Sequence, residues 1–457
     1  MRSNALPHGS LAICPLLFLL VIPAFADDWP QWMGPKRDGV WREKGVLEKF
    51  PPEGPSVRWR IPVNRGYCGP AVAGGRLFML DRLQGTRPER KPGEKVNPAV
   101  PGNERVLCLD TATGNKVWEH TYDCPYRIGY PSGPRATPVV EGNRVYTLGA
   151  MGDLLCLNAK SGEVVWERQL LKEFAPGEPP TWGYAAHPLL DGDRLICLAG
   201  GTNSLVVAFQ KDTGKVLWQA LTAVEIGYAP PMIYTIAGKR QLIIWHPDAV
   251  ASLEPETGKV LWTQKYPVEG KQQRPEVTIA TPRMVEDKLF FSSFYHGATL
   301  LQVTNNPPGA FVAWNRHSTN QSSFSEGLHT VMCTPVWKDN YIYGICGDGE
   351  MRCLDARTGD RVWESDEVVK PGLFGTAFFV EHDQGVFIWN DQGELLFGRF
   401  TPKGFEAISR AKMLETSENT RGRDIVWCAP AFANRCLYVH NGKELICVSL
   451  AADSRSG

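Results

Sequence analysis

The sequence lacks an excess of charge of either sign: 49 Lys and Arg stand against 49 Asp and Glu in 457 residues, with no long basic run. A protein that neutralises many phosphates carries a basic surplus or stripe, so nucleic acid is not an expected partner. Beyond the first 26 residues no apolar run reaches membrane-spanning length without charges, so no transmembrane segment is expected. A C-x-x-C-H motif is also missing, which argues against a covalently attached c-type haem. Aromatics and turn formers, in contrast, are plentiful: 15 Trp, 19 Phe and 13 Tyr accompany 45 Gly and 35 Pro. That combination points to an all-β chain of many short strands.

Residues 1–26 have the pattern of a secretory signal peptide. Arg2 precedes an apolar stretch from Leu11 to Ile22, and Ala24-Phe25-Ala26 supplies a small-x-small cleavage pattern before Asp27. A retained membrane anchor is the alternative, but the stretch is short and contains Pro15. Lipidation at Cys14 requires a small residue before it, where Ile13 stands. The expected location is therefore outside the cytoplasm, periplasmic or extracellular. Of 12 cysteines, removal of Cys14 leaves an odd number, so at least one is unpaired within the chain. Cys108, Cys156, Cys353 and Cys447 occupy the same place in a repeated strand, and equivalent sites in successive repeats lie too far apart to bridge. They read as small buried thiols. A bridge between Cys346 and Cys353 stays open, although its register is poor.

The repeat organises the chain. The segments VLCLDTATGNKVWEH, LLCLNAKSGEVVWER, LVVAFQKDTGKVLWQ, VASLEPETGKVLWTQ and MRCLDARTGDRVWES carry Trp118, Trp166, Trp218, Trp262 and Trp363. Spacings of 48, 52 and 44 residues are followed by one of 101, which Trp314 divides into 52 and 49. A period near fifty with four short strands per unit is the signature of a propeller blade. Each Thr-Gly or Ser-Gly turn supplies the positive φ that a bulged hairpin needs. Pro-led strands upstream (TPVVEGNRVYTLG, HPLLDGDRLICLA, TPRMVEDKLFFSS, TPVWKDNYIYGIC, APAFANRCLYVHN) supply the two inner strands.

An outer strand around Trp59 comes early without inner strands of its own, and inner strands within 428–450 come late without an outer one. Pairing them closes the ring and leaves no sheet edge open. With a last outer strand near Ile408, the expectation is an eight-bladed β-propeller of four-stranded antiparallel blades over residues 56–450. Seven blades is the alternative if the unit at Trp314 is incomplete. Residues 27–55 form an N-terminal extension and 451–457 a tail.

The repeated x-L-D-x-x-T-G-x-x-x-W pattern resembles the quinoprotein-type (PQQ-like) β-propeller repeat family, and the opening DDWPQWMGPKRDG resembles the start of exported bacterial propellers of that kind. The resemblance covers nearly the whole chain after residue 56. It implies one of two functions: a binding or assembly scaffold, as in BamB, the propeller lipoprotein of the outer-membrane β-barrel assembly machine, or a PQQ-dependent alcohol or sugar dehydrogenase. Quinoprotein alcohol dehydrogenases hold the quinone beside adjacent cysteines, and no two cysteines are adjacent here. The scaffold reading is therefore preferred, with no cofactor expected, and PQQ with calcium belongs to the alternative.

Function is expected on the face where the blades are connected by long loops. Gly66-Tyr67, Gly129-Tyr130, Gly183-Tyr184 and Gly227-Tyr228 stand at entrances to innermost strands, with Trp182 and Trp427 in comparable places. Such aromatics at a channel mouth could stack a flat ligand or grip a peptide. RGRDIVW adds Arg421, Arg423 and Asp424 beside Trp427, the cations, flat ring and base that a tricarboxylate quinone wants, or else an Arg-Asp pair that ties down a loop. In the loop with His317, Asn320, Glu326 and His329, Glu-x-x-His resembles half of a metal site without the helix that would aim it, so no metal is assigned. The expected ligand or partner face is Tyr67, Arg135, Trp182, Tyr184, Tyr228, His329, Arg423, Asp424 and Trp427. Substituting Arg423 and Trp427 by Ala is expected to weaken binding there with little effect on stability. The Pro-rich insertion from Asp81 to Arg105 is expected to be a loop over the same face.

Overall fold

The computed structural model describes residues 27–90, 98–236, 238–318 and 324–452. The signal-peptide segment therefore lies outside the described residues, as does Asn320.

Eight four-stranded antiparallel sheets form a closed ring. In the blade that begins at Ala71 the strands run Ala71–Ala73, Arg76–Gln84, Gly102–Asp110 and Lys116–Asp123. Five further blades repeat this order, among them the one around Trp314, whose strands span Arg283–Val285 to Pro308–Arg316. That unit is complete, which removes the seven-bladed alternative. The seventh blade ends at Gly404–Lys412, which carries Ile408 and no Trp. The eighth takes Ala431–Ala433, Cys436–His440 and Glu444–Ser449 from the end of the chain and Val57–Pro62 from its start. Trp59 lies opposite Cys447 and Pro62 opposite Glu444 in that closing pair.

Burial follows position in the blade. Middle strands such as Val206–Gln210 are covered on both sides by neighbouring blades, whereas outermost strands bury little besides the Trp. Each indole then reaches the next blade. Trp59, Trp118, Trp166, Trp218 and Trp314 donate their Nε1 protons to turn carbonyls of Thr111, Ala159, Lys211, Pro255 and Ala356, at 2.8–3.1 Å. The same rings lie on Gly114, Gly162, Gly214, Gly258 and Gly359, where a Cβ would come within 2.5–2.9 Å of the indole. The turn glycine thus has two jobs: φ between 69° and 77°, and room for the neighbour's Trp. Trp262 departs from this pattern. The next blade has Asn306-Pro307 in place of a Gly turn, and Trp262 Nε1 donates instead to Gln241 Oε1 within its own blade.

All eleven described cysteines are free and buried, and Cys353 pairs in register with Tyr343, away from Cys346. The insertion after Asp81 is strand at both ends, since Asp81 pairs with Arg105 and Gln84 with Gly102. A buried ion pair from Arg105 to Asp81, 2.7–2.9 Å, holds its base. The loop proper is therefore 85–101, of which 91–97 lie outside the described residues.

The extension from residue 27 enters the channel from the short-turn face. Trp29 exchanges backbone hydrogen bonds with Val72, and Trp32 stacks on His187 at 4.0 Å while donating to Thr281 Oγ1. Arg37, buried with its pKa lowered to about 10, donates to the carbonyls of Pro188 and Pro231. The strap returns past Glu381 and pairs Val46 with Ala451. With the Val140 N–H donating to the Pro30 carbonyl as well, the strap touches at least seven of the eight blades. No helix among the described residues is long and apolar enough to cross a membrane.

Candidate functional site

At the other end of the channel the sequence's scattered aromatics form a belt. Tyr67 and Tyr130 both pack on Trp427, with ring centroids 6.2 and 5.7 Å away. The Trp182 ring lies beside Gly129, at the place where a Cβ would come within 3.1 Å of it, and packs on Tyr228 at 5.1 Å. Chain topology explains the convergence. Each residue precedes an innermost strand, and eight such strands surround one axis.

Polar groups lock the belt from behind. Tyr67 and Ser132 donate their hydroxyls to one oxygen of Glu418, at 2.8 and 2.9 Å. Burial, followed by the Glu418 charge, pushes the Tyr67 hydroxyl well above the usual phenol range, so it stays protonated. Arg135 lies over the Tyr67 ring at 5.3 Å and spends its donors on the carbonyls of Gly129, Tyr130 and Gly133. Tyr228 donates to Glu225, whose carboxyl is raised in pKa by burial. Trp427 Nε1 is buried and has no partner among the described residues.

Three more residues belong to the mouth: Arg421, which RGRDIVW already singled out in the sequence, and Phe374 and Tyr295, which the sequence reading does not name. Tyr295 lies within electrostatic reach of Arg421 and Tyr130, and Arg421 sits over the Phe374 ring at 5.4 Å. Tyr130, Phe374 and Arg421 all have positive φ, 49°, 67° and 49°. Non-glycine residues in this region are strained, and such strain clusters at binding sites. Phe374 was findable: Gly-Leu-Phe-Gly-Thr stands before its innermost strand where other blades have Gly-Tyr. Nothing in the sequence pattern marks Tyr295, which comes from an inner turn.

The remaining predicted residues lie elsewhere. Tyr184 is buried between blades and donates to the Ala199 carbonyl. His329 is buried with both ring nitrogens bonded to backbone, Nδ1 to the Phe294 carbonyl and Nε2 accepting from the Ser318 N–H. Its pKa falls to about 4 by burial, and neither nitrogen is left for a metal. Arg423 does not pair with Asp424. It forms a two-pronged ion pair with Asp391, 2.8 and 3.1 Å, whose side chain is fully buried. Asp424 is exposed and accepts from Asn419. The expectation that Arg423 is dispensable for stability is therefore corrected: its loss strands a buried carboxylate.

This arrangement does not suit a tricarboxylate quinone. Arg135 and Arg423 are already engaged by carbonyls and by Asp391, the Trp427 ring is covered by two tyrosines, and Asp424 is turned to solvent. No step is derived through such a cofactor.

The ring, its period and its indole latches define the class: a PQQ-like β-propeller with eight blades. Residues 102–365, more than half of the chain, match the family described as outer membrane protein assembly factor BamB, and the chain belongs to that family. It is 22% identical over 272 residues to the outer membrane protein assembly factor BamB of Shewanella oneidensis, covering 56% of this chain and 66% of that relative. The match thus spans just under two thirds of the curated relative's length. The crystal structure of BamB from Moraxella catarrhalis is similar over 86% of this chain and 99% of its own, with 14% identity and a TM-score of 0.56. A quinohemoprotein alcohol dehydrogenase from Comamonas testosteroni is similar over 94% and 81%, with 11% identity and a TM-score of 0.58. At these identities both structures attest the fold alone.

Proposed function

We propose that the protein is an exported scaffold which binds a protein partner through the aromatic mouth of its long-loop face, and that the partner belongs to outer-membrane protein assembly. The observation that carries this reading is the belt from Tyr67 to Tyr228, with the positive-φ residues Tyr130, Phe374 and Arg421 at its rim. Val224 and Leu373, 85% and 43% exposed, stand in blade-connecting loops of the same face. Aromatic anchors in an apolar surround are the usual core of a protein-binding patch. Family membership supplies the kind of assembly, since the relatives are named outer membrane protein assembly factors.

The test is a photo-crosslinking amino acid placed in cells at Val224, Leu373 or Arg421, with Lys160 on the opposite face as control. Adducts with an outer-membrane assembly component from the first three positions only are expected. Equal adducts from both faces, or none, would refute the reading. Stoichiometric uptake of PQQ with calcium, with dye reduction by an alcohol or sugar, would establish the dehydrogenase alternative.

A further inference from the structure

The short-turn face, opposite the mouth, holds a second constellation that plays no part in the reading above. Glu48 of the strap and His382 and Asp383 of the seventh blade's inner turn each bring one ligand atom within 4.8 Å of the others. The His382 side chain is 3% exposed. Its Nδ1 is 3.0 Å from the Trp41 carbonyl oxygen, which can only accept, so Nδ1 carries the proton. Nε2 then presents a lone pair, and this faces Asp383 Oδ2 at 3.7 Å. Lys44 holds the other oxygen of Asp383, which keeps Oδ2 turned toward the ring. His382 is nearly buried whereas Asp383 is 46% exposed, and a positive charge between Nε2 and Oδ2, either a second proton on the ring or a metal ion, relieves the repulsion of the two acceptors.

A backbone carbonyl that fixes the Nδ1–H tautomer and aims Nε2 is also the usual support of a metal-bound histidine. One imidazole and two carboxylates suit zinc, whose bonds of about 2.0–2.2 Å place tetrahedral ligands roughly 3.3–3.6 Å apart. The gap from Nε2 to Oδ2 is already near that separation. We propose that Glu48, His382 and Asp383 form a site for a divalent cation of the zinc class, which fastens the N-terminal strap to the seventh blade. Hydrogen bonds through Ser409, to the Phe50 N–H at 2.9 Å and the Glu48 carbonyl at 3.1 Å, hold the strap in place for it. A fourth position is left for water.

The experiment uses the metal-free full chain titrated with Zn²⁺ by calorimetry and with Co²⁺ by visible absorption. One equivalent should bind, raise the melting temperature and slow tryptic cleavage after Lys44 and Lys49 in the wild type. Glu48→Gln and Asp383→Asn should each weaken Zn²⁺ binding by at least about tenfold, while melting like the metal-free wild type. Failure to bind one equivalent, binding that survives both substitutions, or cleavage that Zn²⁺ leaves unchanged would overturn the site.

Discussion

Replacing Gly162 by Ala tests the latch between blades. Gly162 has φ of 77°, and a Cβ there would come within 2.6 Å of Trp118 Cε3, a ring that is 9% exposed and tied to the same turn through the Ala159 carbonyl at 3.0 Å. Gly142 in the same blade is the control, with φ of 57° and nothing within 4 Å of an added Cβ. Gly142→Ala should lose only the left-handed conformational term, about 1–2 kcal/mol. Gly162→Ala should lose that and a further 1–3 kcal/mol or so for forcing the indole aside in a close-packed seam. With an unfolding entropy near 2.1 cal/mol/K per residue, each kcal/mol lowers the melting temperature of a chain this size by roughly 1 °C, so urea midpoints are the sharper readout. Placing Gly162→Ala in a Trp118→Ala background should remove most of the extra loss, a coupling of about 0.5–3 kcal/mol. Equal losses for the two glycines would show that the turn needs only its φ, and the latch would fall.

Arg423→Ala should lower stability by about 3–5 kcal/mol because it leaves the buried Asp391 carboxylate uncompensated; a smaller loss when Asp391→Asn is added would identify the ion pair as the cause, and a neutral Arg423→Ala would refute it. Trp166→Ala should lower stability by roughly 3–5 kcal/mol in urea titrations while sparing crosslinking at Val224, and loss of crosslinks in the folded fraction would contradict the separation of latch from mouth. His246 and His329 are both held near pKa 4 by burial, so between about pH 6.5 and pH 4 the unfolded chain binds more protons than the native state. Stability should fall as pH falls through that window. Asp153, raised to about 6 by burial and the Glu104 charge, acts in the opposite sense between about pH 4 and 6 and offsets part of it. A urea midpoint that rises between pH 7 and pH 4.5 would show the sign to be wrong.

The sequence by itself determined the ring. Hydrophobic period, turn glycines and a Trp in seven of the eight outermost strands are local features that recur, and repetition alone exposes them; the unpaired strands at Trp59 and after residue 428 even specified the closure. What it could not decide was which aromatic at an innermost strand faces the axis and which turns into a blade. Tyr67, Tyr184 and Tyr228 share a Gly-Tyr signature, yet Tyr184 points to the Ala199 carbonyl inside a seam while the other two reach carboxylates at the mouth. Partners decided this, at very different sequence distances: Glu418 lies 351 residues from Tyr67, whereas Ala199 and Glu225 lie 15 and 3 residues from Tyr184 and Tyr228, and Asp391 lies 32 residues before the arginine it captures. The strap shows the same division. Its Trp and Arg residues stand in the sequence as an isolated motif, and only the closed ring, by offering a channel lined with His187, Thr281 and the carbonyls of Pro188 and Pro231, gives those side chains somewhere to be buried. Local periodicity is written residue by residue, whereas the pairing of buried polar groups depends on elements that meet only after the eighth blade has closed.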